Sequence, residues 1–353
     1  MQRAGVRRRD KRLRRVTAWF CWAAAALLFL PGAFLTGLRL MPWDIGTPWL
    51  QLLSLFPASV PLTAVALAAA VLALCLDPRF SRTLLATAVT AVMLLQMGTV
   101  APRILPGTEL AAAAPLAAPE AGDAPAARRV TVMALNVGST GVDAEALLDE
   151  VRTRNVDILA LPELAPLGLE ALDGAGLAGD FPYRALDVDW AGTGSAIFSK
   201  FPLAAQERVP GTNFYQTRAV ATIPGTTGGV HLTAVHVASP RPGHTPFWRR
   251  ELRQLGELRL ALPGSNPAIL LGDFNASQDH REFRDLLATG LIDAAKAAGK
   301  GLAPTWPVNA GIPPFVALDH VLVTPNISVG HFAIVRFART DHSAVVVELR
   351  LPG

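Results

Sequence analysis

Three uncharged apolar runs near the start of the chain constrain it more than any other feature. Residues 16–38, 45–76 and 83–102 contain no Asp, Glu, Lys or Arg, and each can supply the roughly 20 apolar residues that a helix needs to cross a bilayer. Pro31 and Gly32 interrupt the first run, which membrane helices tolerate. In the second run, 58–76 is the best spanning core. Arg82 and Arg103 bound the third. A buried core helix could explain one such run, and a cleaved signal peptide could explain the first. Neither explains three in succession, so about three transmembrane helices are expected within residues 16–102.

Charge sets the orientation. The chain has 353 residues and a net charge of +4, with a pI near 9.5, which alone would suggest a polyanionic partner. But residues 1–15 hold eight basic side chains against Asp10, so the remainder is net acidic. The basic character belongs to a short arm and gives no support to a nucleic-acid groove. The positive-inside rule keeps that arm (1–15) and the loop "DPRFSR" (77–82) in the cytoplasm. Three crossings then leave everything after residue 102 outside the cytoplasmic membrane. Residues 103–128 are rich in Ala and Pro and read as an extended linker. The two cysteines, Cys21 and Cys75, both lie in apolar runs, which excludes a disulfide framework or a cysteine metal cluster further on.

From residue 129 to 353 the texture changes. "RRVTVMALNVG", "VDILALPEL", "SAIFSKFP", "TRAVATIP", "GVHLTAVHVASP", "AILLGDFNAS", "LDHVLVTP", "HFAIVRFAR" and "SAVVVELRL" read as strands. "DAEALLDEVRTR", "TPFWRRELRQLGELRLAL" and a stretch near "HREFRDLLATG" have helical spacing. Many strands with a few long helices predict an α/β or α+β sandwich. The arginines of "WRRELRQLGEL", partly balanced by Glu251 and Glu257, read as a solvated helix face with i,i+4 pairing.

Several apolar strands end or begin in polar residues that do not suit a core: Asn136, Glu163, His236, Asp273 with Asn275, Asp319 with His320, and Asp341 with His342. Each alone reads as a cap or turn residue. Together they are carboxylates, amides and histidines at the mouths of buried strands, where ligand sites of layered α/β folds gather. Because a strand alternates its faces, Asp273 and Asn275 should project side by side. Gly272 would allow close backbone approach there. A calcium loop starting at Asp273 is excluded, since its sixth and twelfth positions are Gln278 and Arg284 rather than Gly and Glu.

The ordered motifs "LN", "PE", "VH.ASP", "GDFN", "LDHV" and "TDHS" resemble the endonuclease/exonuclease/phosphatase superfamily, the deoxyribonuclease I-like proteins, over roughly residues 129–351. The apolar N-terminal segments resemble those of its membrane-anchored bacterial members. The resemblance implies a four-layer sandwich, with two packed β-sheets flanked by helices, and metal-dependent hydrolysis of a phosphate ester. The metal is usually Mg²⁺, with Mn²⁺ or another divalent cation as alternatives. Asn136, Glu163 and Asp341 match the metal-site residues. Asp273 and Asn275 match the pair that handles the attacking water and the phosphate. His342 matches the catalytic histidine, with Asp319 orienting it. His236 matches the histidine beside the leaving group, and Arg218 in "QTRAV" an arginine near the phosphate.

The chemistry of the residue types agrees. Carboxylates are hard ligands for Mg²⁺, a histidine titrates near neutrality and can move a proton, and a neutral Asn can donate to a phosphate oxygen without repelling it. The expectation is therefore a membrane-integral phosphoesterase acting on a phosphodiester, with nucleic acid and lipid headgroup both open as substrates and no partner protein inferable. A catalytically silent binding or scaffold protein on the same fold is the alternative. Trp306, shortly before Asp319, could line a substrate pocket or simply pack.

Overall fold

The structure, a computed structural model, describes residues 2–105, 128–138, 141–226, 228–263 and 266–353. It divides into two compact units, Met1–Ala101 and Pro102–Gly353.

In the first unit, α1 (Gln2–Arg39), α2 (Thr47–Leu53), α3 (Phe56–Leu76) and α4 (Phe80–Ile104) follow one another. Three of them, over Arg8–Arg39, Phe56–Leu76 and Phe80–Ile104, are long and apolar enough to cross a membrane. The three expected spans thus correspond to α1, α3 and α4. The basic arm, however, is not separate from the first span: α1 continues through it without a break. Gln96 of α4 is fully buried, and its amide nitrogen lies 3.3 Å from Gly32 O, 3.2 Å from Thr36 Oγ1 and 3.2 Å from Ser59 Oγ. One side chain thereby joins α1, α3 and α4, the use membrane helices make of buried polar residues. A Cβ on Gly32 would meet Thr63 Oγ1 at 2.1 Å, so only glycine lets α1 and α3 approach this closely. In the loop between α3 and α4, Asp77 pairs with both Arg79 (3.0 Å) and Arg82 (2.6 Å). The positive signal of that loop is therefore partly neutralised.

Most of the expected Ala/Pro-rich linker, residues 106–127, lies outside the described residues; its first residues, Arg103 and Ile104, belong to α4. The second unit holds two mixed six-stranded sheets. One contains β1 (Arg129–Ala134), β2 (Ile158–Pro162), β3 (Tyr183–Asp187), β4 (Ser195–Ser199), β11 (Ser328–Arg336) and β12 (Ser343–Arg350), in the order β11-β12-β1-β2-β4-β3. The other contains β5 (Leu203–Arg208), β6 (Thr217–Ala221), β7 (Val230–His236), β8 (Ala268–Asp273), β9 (Ile292–Asp293) and β10 (Asp319–Val323), in the order β5-β6-β7-β8-β10-β9. Alternate residues of the two sheets interdigitate: Val132, Ala134, Ile158 and Val347 of one meet Leu232, Ala234, Ile269, Leu271 and Val321 of the other. Side chains from the two inner faces thus form one shared core, as in sheet-on-sheet packing.

Helices cover the outer faces. The opposite alternate set of the first sheet, including Met133, Leu159 and Phe198, packs with Leu147, Leu148 and Val151 of α5 (Ala144–Thr153). Leu172 of α6 (Pro166–Gly174) and Leu177 of α7 (Leu177–Asp180) belong to the same cluster. Asp143 caps α5 by accepting from Ala146 N at 3.1 Å, a favoured N-cap arrangement. α8 (Thr245–Ala261) and α9 (Arg281–Leu287) follow in chain order, whereas the short α10 (Ala294–Ala297) sends Ala294 and Ala295 into the core between the sheets. The two-sheet sandwich with flanking helices agrees with the expected four-layer class. The strands β3, β5 and the two-residue β9 were not foreseen; β5 is almost wholly exposed, so it lacks the apolar run that marks a buried strand.

One expectation fails in α8. Glu251 is not on a solvated face; it is completely buried. Arg249 reaches Glu282 of α9 at 2.8 Å instead of a neighbour one turn away. The charge pattern along a helix does not reveal which face docks.

Candidate active site

Strand register assembles the site. β7 and β8 run parallel with His236 opposite Asp273, and β8 and β10 run antiparallel with Asp319 opposite Asp273. His236, Asp273 and Asp319 therefore stand abreast at one level. They also share the parity of the inward-facing Ala234, Leu271 and Val321, so all three point toward the other sheet. Gly272 makes the alignment possible. Its φ is +140°, and a Cβ there would lie 2.2 Å from Val235 O.

The first sheet supplies the rest. Asn136 follows β1, and its amide donates to Glu163 Oε1 and to Asp273 Oδ2, both at 3.1 Å. Glu163 follows β2 with φ +60°, a left-handed turn that is costly for a non-glycine residue and recurs at functional sites. Its Oε1 lies 3.4 Å from His236 Nε2. His342, just before β12, holds Asp319 Oδ2 through Nδ1 at 2.8 Å, and its Nε2 is 3.8 Å from Asp273 Oδ2. Asn275, at φ +46°, donates to Val237 O at 2.8 Å and to Asp273 Oδ2 at 3.1 Å, while its backbone N–H donates to Asp273 Oδ1 at 2.8 Å. Asp273 and Asn275 thus do meet, through hydrogen bonds rather than side by side on a strand: β8 ends at Asp273.

Electrostatics follow from this crowding. Burial pushes the Asp273 carboxyl up, to about 6; Asp319 adds to the rise, while His342, His236 and the Asn275 N–H oppose it. Burial works against a charged His342, but Asp319 and Asp273 reverse its effect and raise the imidazole to about 10. Burial also raises Glu163, yet the hydrogen bond and charge of His236, helped by Asn136, hold it below the ordinary carboxylate range. These are the opposed shifts that an acid–base site requires.

Arg218 stands apart from the cluster, and Asp341 lies near enough for its charge to act on His342. Arg218 lies opposite Thr233 in β6–β7, on the face away from His236 by alternation, and pairs with Glu207 at 3.2 Å. The structure does not bring it to the other site residues. Asp341 is exposed, and its Oδ2 accepts from Trp306 Nε1 at 3.0 Å. Trp306 is thus more than packing. Reading strand ends also missed Thr340, whose hydroxyl donates to Asn136 O at 2.8 Å and accepts from His342 N at 3.2 Å. It missed Phe214 as well, whose ring lies 4.5 Å from that of His236. Neither sits at the end of an apolar run, so nothing in the local sequence marks it.

The sequence matches the Endonuclease/Exonuclease/phosphatase family over residues 133–342, more than half of the chain. The chain belongs to that family. It is a hydrolase of phosphate esters, preceded by three long apolar helices that suggest membrane spans. Solved structures with the same fold include humanized D. rerio TDP2 and D. rerio TDP2 complexed with a single-strand DNA product. Each is 17% identical with a TM-score of 0.53, covering 63% of this chain and 99% of that one. Truncated Caenorhabditis elegans TDP2 is 21% identical with a TM-score of 0.51, covering 63% of this chain and 98% of that one. No curated protein sequence matches the chain.

Family membership implies a divalent cation, and the residues fit one. Among the described residues, Asp273, Asp319 and His342 bring their ligand-type atoms within 4.8 Å of one another. Asp319 Oδ1 is buried without a hydrogen-bond partner, an oxygen that a cation or its water would satisfy. Glu163 and Asp341 add two further carboxylates with solvent access. Of the His342 ring nitrogens, Nδ1 is already committed to Asp319 Oδ2.

Proposed function

We propose that this chain is a membrane-anchored phosphodiesterase that hydrolyses a phosphodiester by attack of water. The observation that carries the reading is the convergence of Asp273 with Asp319–His342 on one side and Asn136–Glu163–His236 on the other. Asp273, ionised at neutral pH, accepts a hydrogen from the attacking water and aims it at phosphorus. His342, fixed and kept cationic by Asp319, stabilises charge on the phosphoryl oxygens. His236 gives or holds a proton at the leaving oxygen, with Glu163 beside it. Asn275 exchanges its contact with Asp273 for a phosphate oxygen, and Val237 O keeps the amide in place meanwhile. Glu163, Asn136 and Asp341 would hold Mg²⁺, or Mn²⁺ in its place. Bound there, the ion would neutralise the non-bridging oxygens. For Asn136 this requires its amide oxygen, which now accepts from Gly138 N, to turn toward the ion. Arg218, tied to Glu207, has no part in this scheme.

The D. rerio TDP2 complex with single-strand DNA product favours single-stranded DNA as one substrate to test. The apolar helices favour a lipid headgroup as the other. The basic arm favours a cytoplasmic N-terminus and an extracytoplasmic catalytic unit. A silent scaffold is disfavoured, since every motif position retains a reactive or ligating side chain. The test is turnover of bis(p-nitrophenyl) phosphate, DNA and phospholipid by the detergent-solubilised full chain, with Mg²⁺ and with EDTA. An Asp273→Ala variant serves as the control. Absence of turnover with every divalent cation, or full activity of Asp273→Ala, sinks the reading. A reporter fused after residue 353 that matures only in the cytoplasm would reverse the orientation.

A further inference from the structure

Glu251 is the one fully buried glutamate in the described part of the catalytic unit, with the charge of Arg250 near enough to be felt. Its oxygens go to backbone. Oε1 accepts from Asn213 N at 2.7 Å, and Oε2 accepts from Ala238 N at 2.8 Å. These two contacts have one target in common. Asn213 precedes Phe214, whose ring lies 4.5 Å from the His236 ring with 40° between their planes. Ala238 belongs to the turn that carries the chain away from His236, and the same turn is held at Val237 O by the Asn275 amide. One turn earlier on the same face of α8, Trp248 Nε1 donates to Asn275 O at 3.0 Å. Residues three apart share a helix face. A single face of α8 therefore grips the segments that carry Phe214, His236 and Asn275.

We infer that Glu251 is a positioning residue for His236, fixing the imidazole by clamping both the turn behind it and the segment that lays Phe214 over it. His236 needs such help because Nδ1 is buried with no hydrogen-bond partner. Its ring orientation is set by Glu163 at one nitrogen and otherwise only by packing. Burial pushes the Glu251 carboxyl up, and the Ala238 and Asn213 N–H groups are the chief contacts that oppose the rise. A glutamine cannot replace the carboxylate here. Its oxygen can accept one backbone N–H, but its NH₂ then faces the other.

The inference rests on the reading of His236 as a working group of the site, and the test separates the two. Turnover of bis(p-nitrophenyl) phosphate with Mg²⁺ is measured for the full chain in detergent, for Glu251→Gln, His236→Ala and the double variant. Phe214→Ala, alone and with His236→Ala, provides a second route that leaves the buried carboxylate intact. Glu251→Gln is expected to lower kcat about tenfold with KM within about twofold, a displacement effect smaller than the roughly 100-fold that an ångström of misplacement can cost. In the His236→Ala background, both Glu251→Gln and Phe214→Ala should have almost no further effect, because groups that act through one another are not additive. Full additivity in both cycles would overturn the inference. So would an inert His236→Ala, and in that case Asp273→Ala still decides whether the remaining site is correctly read.

Discussion

His342 Nδ1 lies 2.8 Å from Asp319 Oδ2, and Asp319 stands opposite Asp273 across the β8–β10 ladder. The strand pairing of one sheet thus sets where a histidine from the other sheet can rest. Replacing Asp319 by Asn keeps the shape and removes the charge that holds the imidazole. Asp319→Asn is expected to lower kcat on the order of 100-fold, the scale of a lost acid–base partner, with KM little changed. Steady-state kinetics on a small phosphodiester checks this; an unchanged kcat would remove Asp319 from the scheme.

Trp306 donates to Asp341 Oδ2 at 3.0 Å. Groups that orient a ligand tune metal affinity, typically by about 10–100-fold. Trp306→Phe keeps the ring and loses the N–H. The Mg²⁺ concentration for half-maximal activity should rise severalfold, while kcat at saturating Mg²⁺ stays within about twofold. A metal titration of the variant decides it, and an unchanged half-saturation point would detach Asp341 from the ion.

Gly272→Ala should be among the costliest small substitutions in the catalytic unit. The backbone is at φ +140°, and the new methyl would meet Val235 O at 2.2 Å. A loss on the order of 3 kcal/mol or more is expected from strain and collision together. Gly174→Ala, where nothing lies within 4 Å, should change stability by less than about 1 kcal/mol. Pulse proteolysis across a urea series compares the two, and equal effects would contradict the close approach.

Beneath the site, His320 Nδ1 lies 3.4 Å from Asp293 Oδ2, and both are completely buried. Burial opposes charge on each, yet their mutual attraction raises His320 and lowers Asp293. The raised histidine contributes stability that is fully present below the ordinary histidine pKa, and this is lost as pH climbs through its folded value. The lowered aspartate contributes stability present above the ordinary carboxylate pKa, and this is lost as pH falls through its folded value. The pair should therefore stabilise most in mildly acidic solution. Thermal unfolding of wild type and His320→Gln should differ most near pH 5–6 and converge as pH rises above neutrality. A gap that widens toward alkaline pH would reverse the assignment.

Residues that end or open apolar strands were legible in the sequence because a polar side chain there has no core role to fill. Asn136, Glu163, His236, Asp273, Asp319 and His342 all sit at such ends, and the ladders then bring them together. Arg218 has the right residue type in the right motif, yet one step of strand alternation turns it to the other face. Glu251 was misread because helical charge spacing is the same whether a face meets water or backbone amides. Gln96 could not be singled out among apolar neighbours, since its partners are carbonyl and hydroxyl groups on two other helices.

The division of the site between two sheets bears on how such a chain is made. Asn136, Glu163 and His342 flank strand ends of one sheet, and His236, Asp273 and Asp319 lie in strands of the other, so the cluster forms only when the two have stacked. On the proposed function, a partly folded chain would carry no hydrolytic activity toward the phosphate esters around it. Turnover would then report completed sandwich formation, and its appearance during refolding should coincide with burial of the inter-sheet core, later than helix formation.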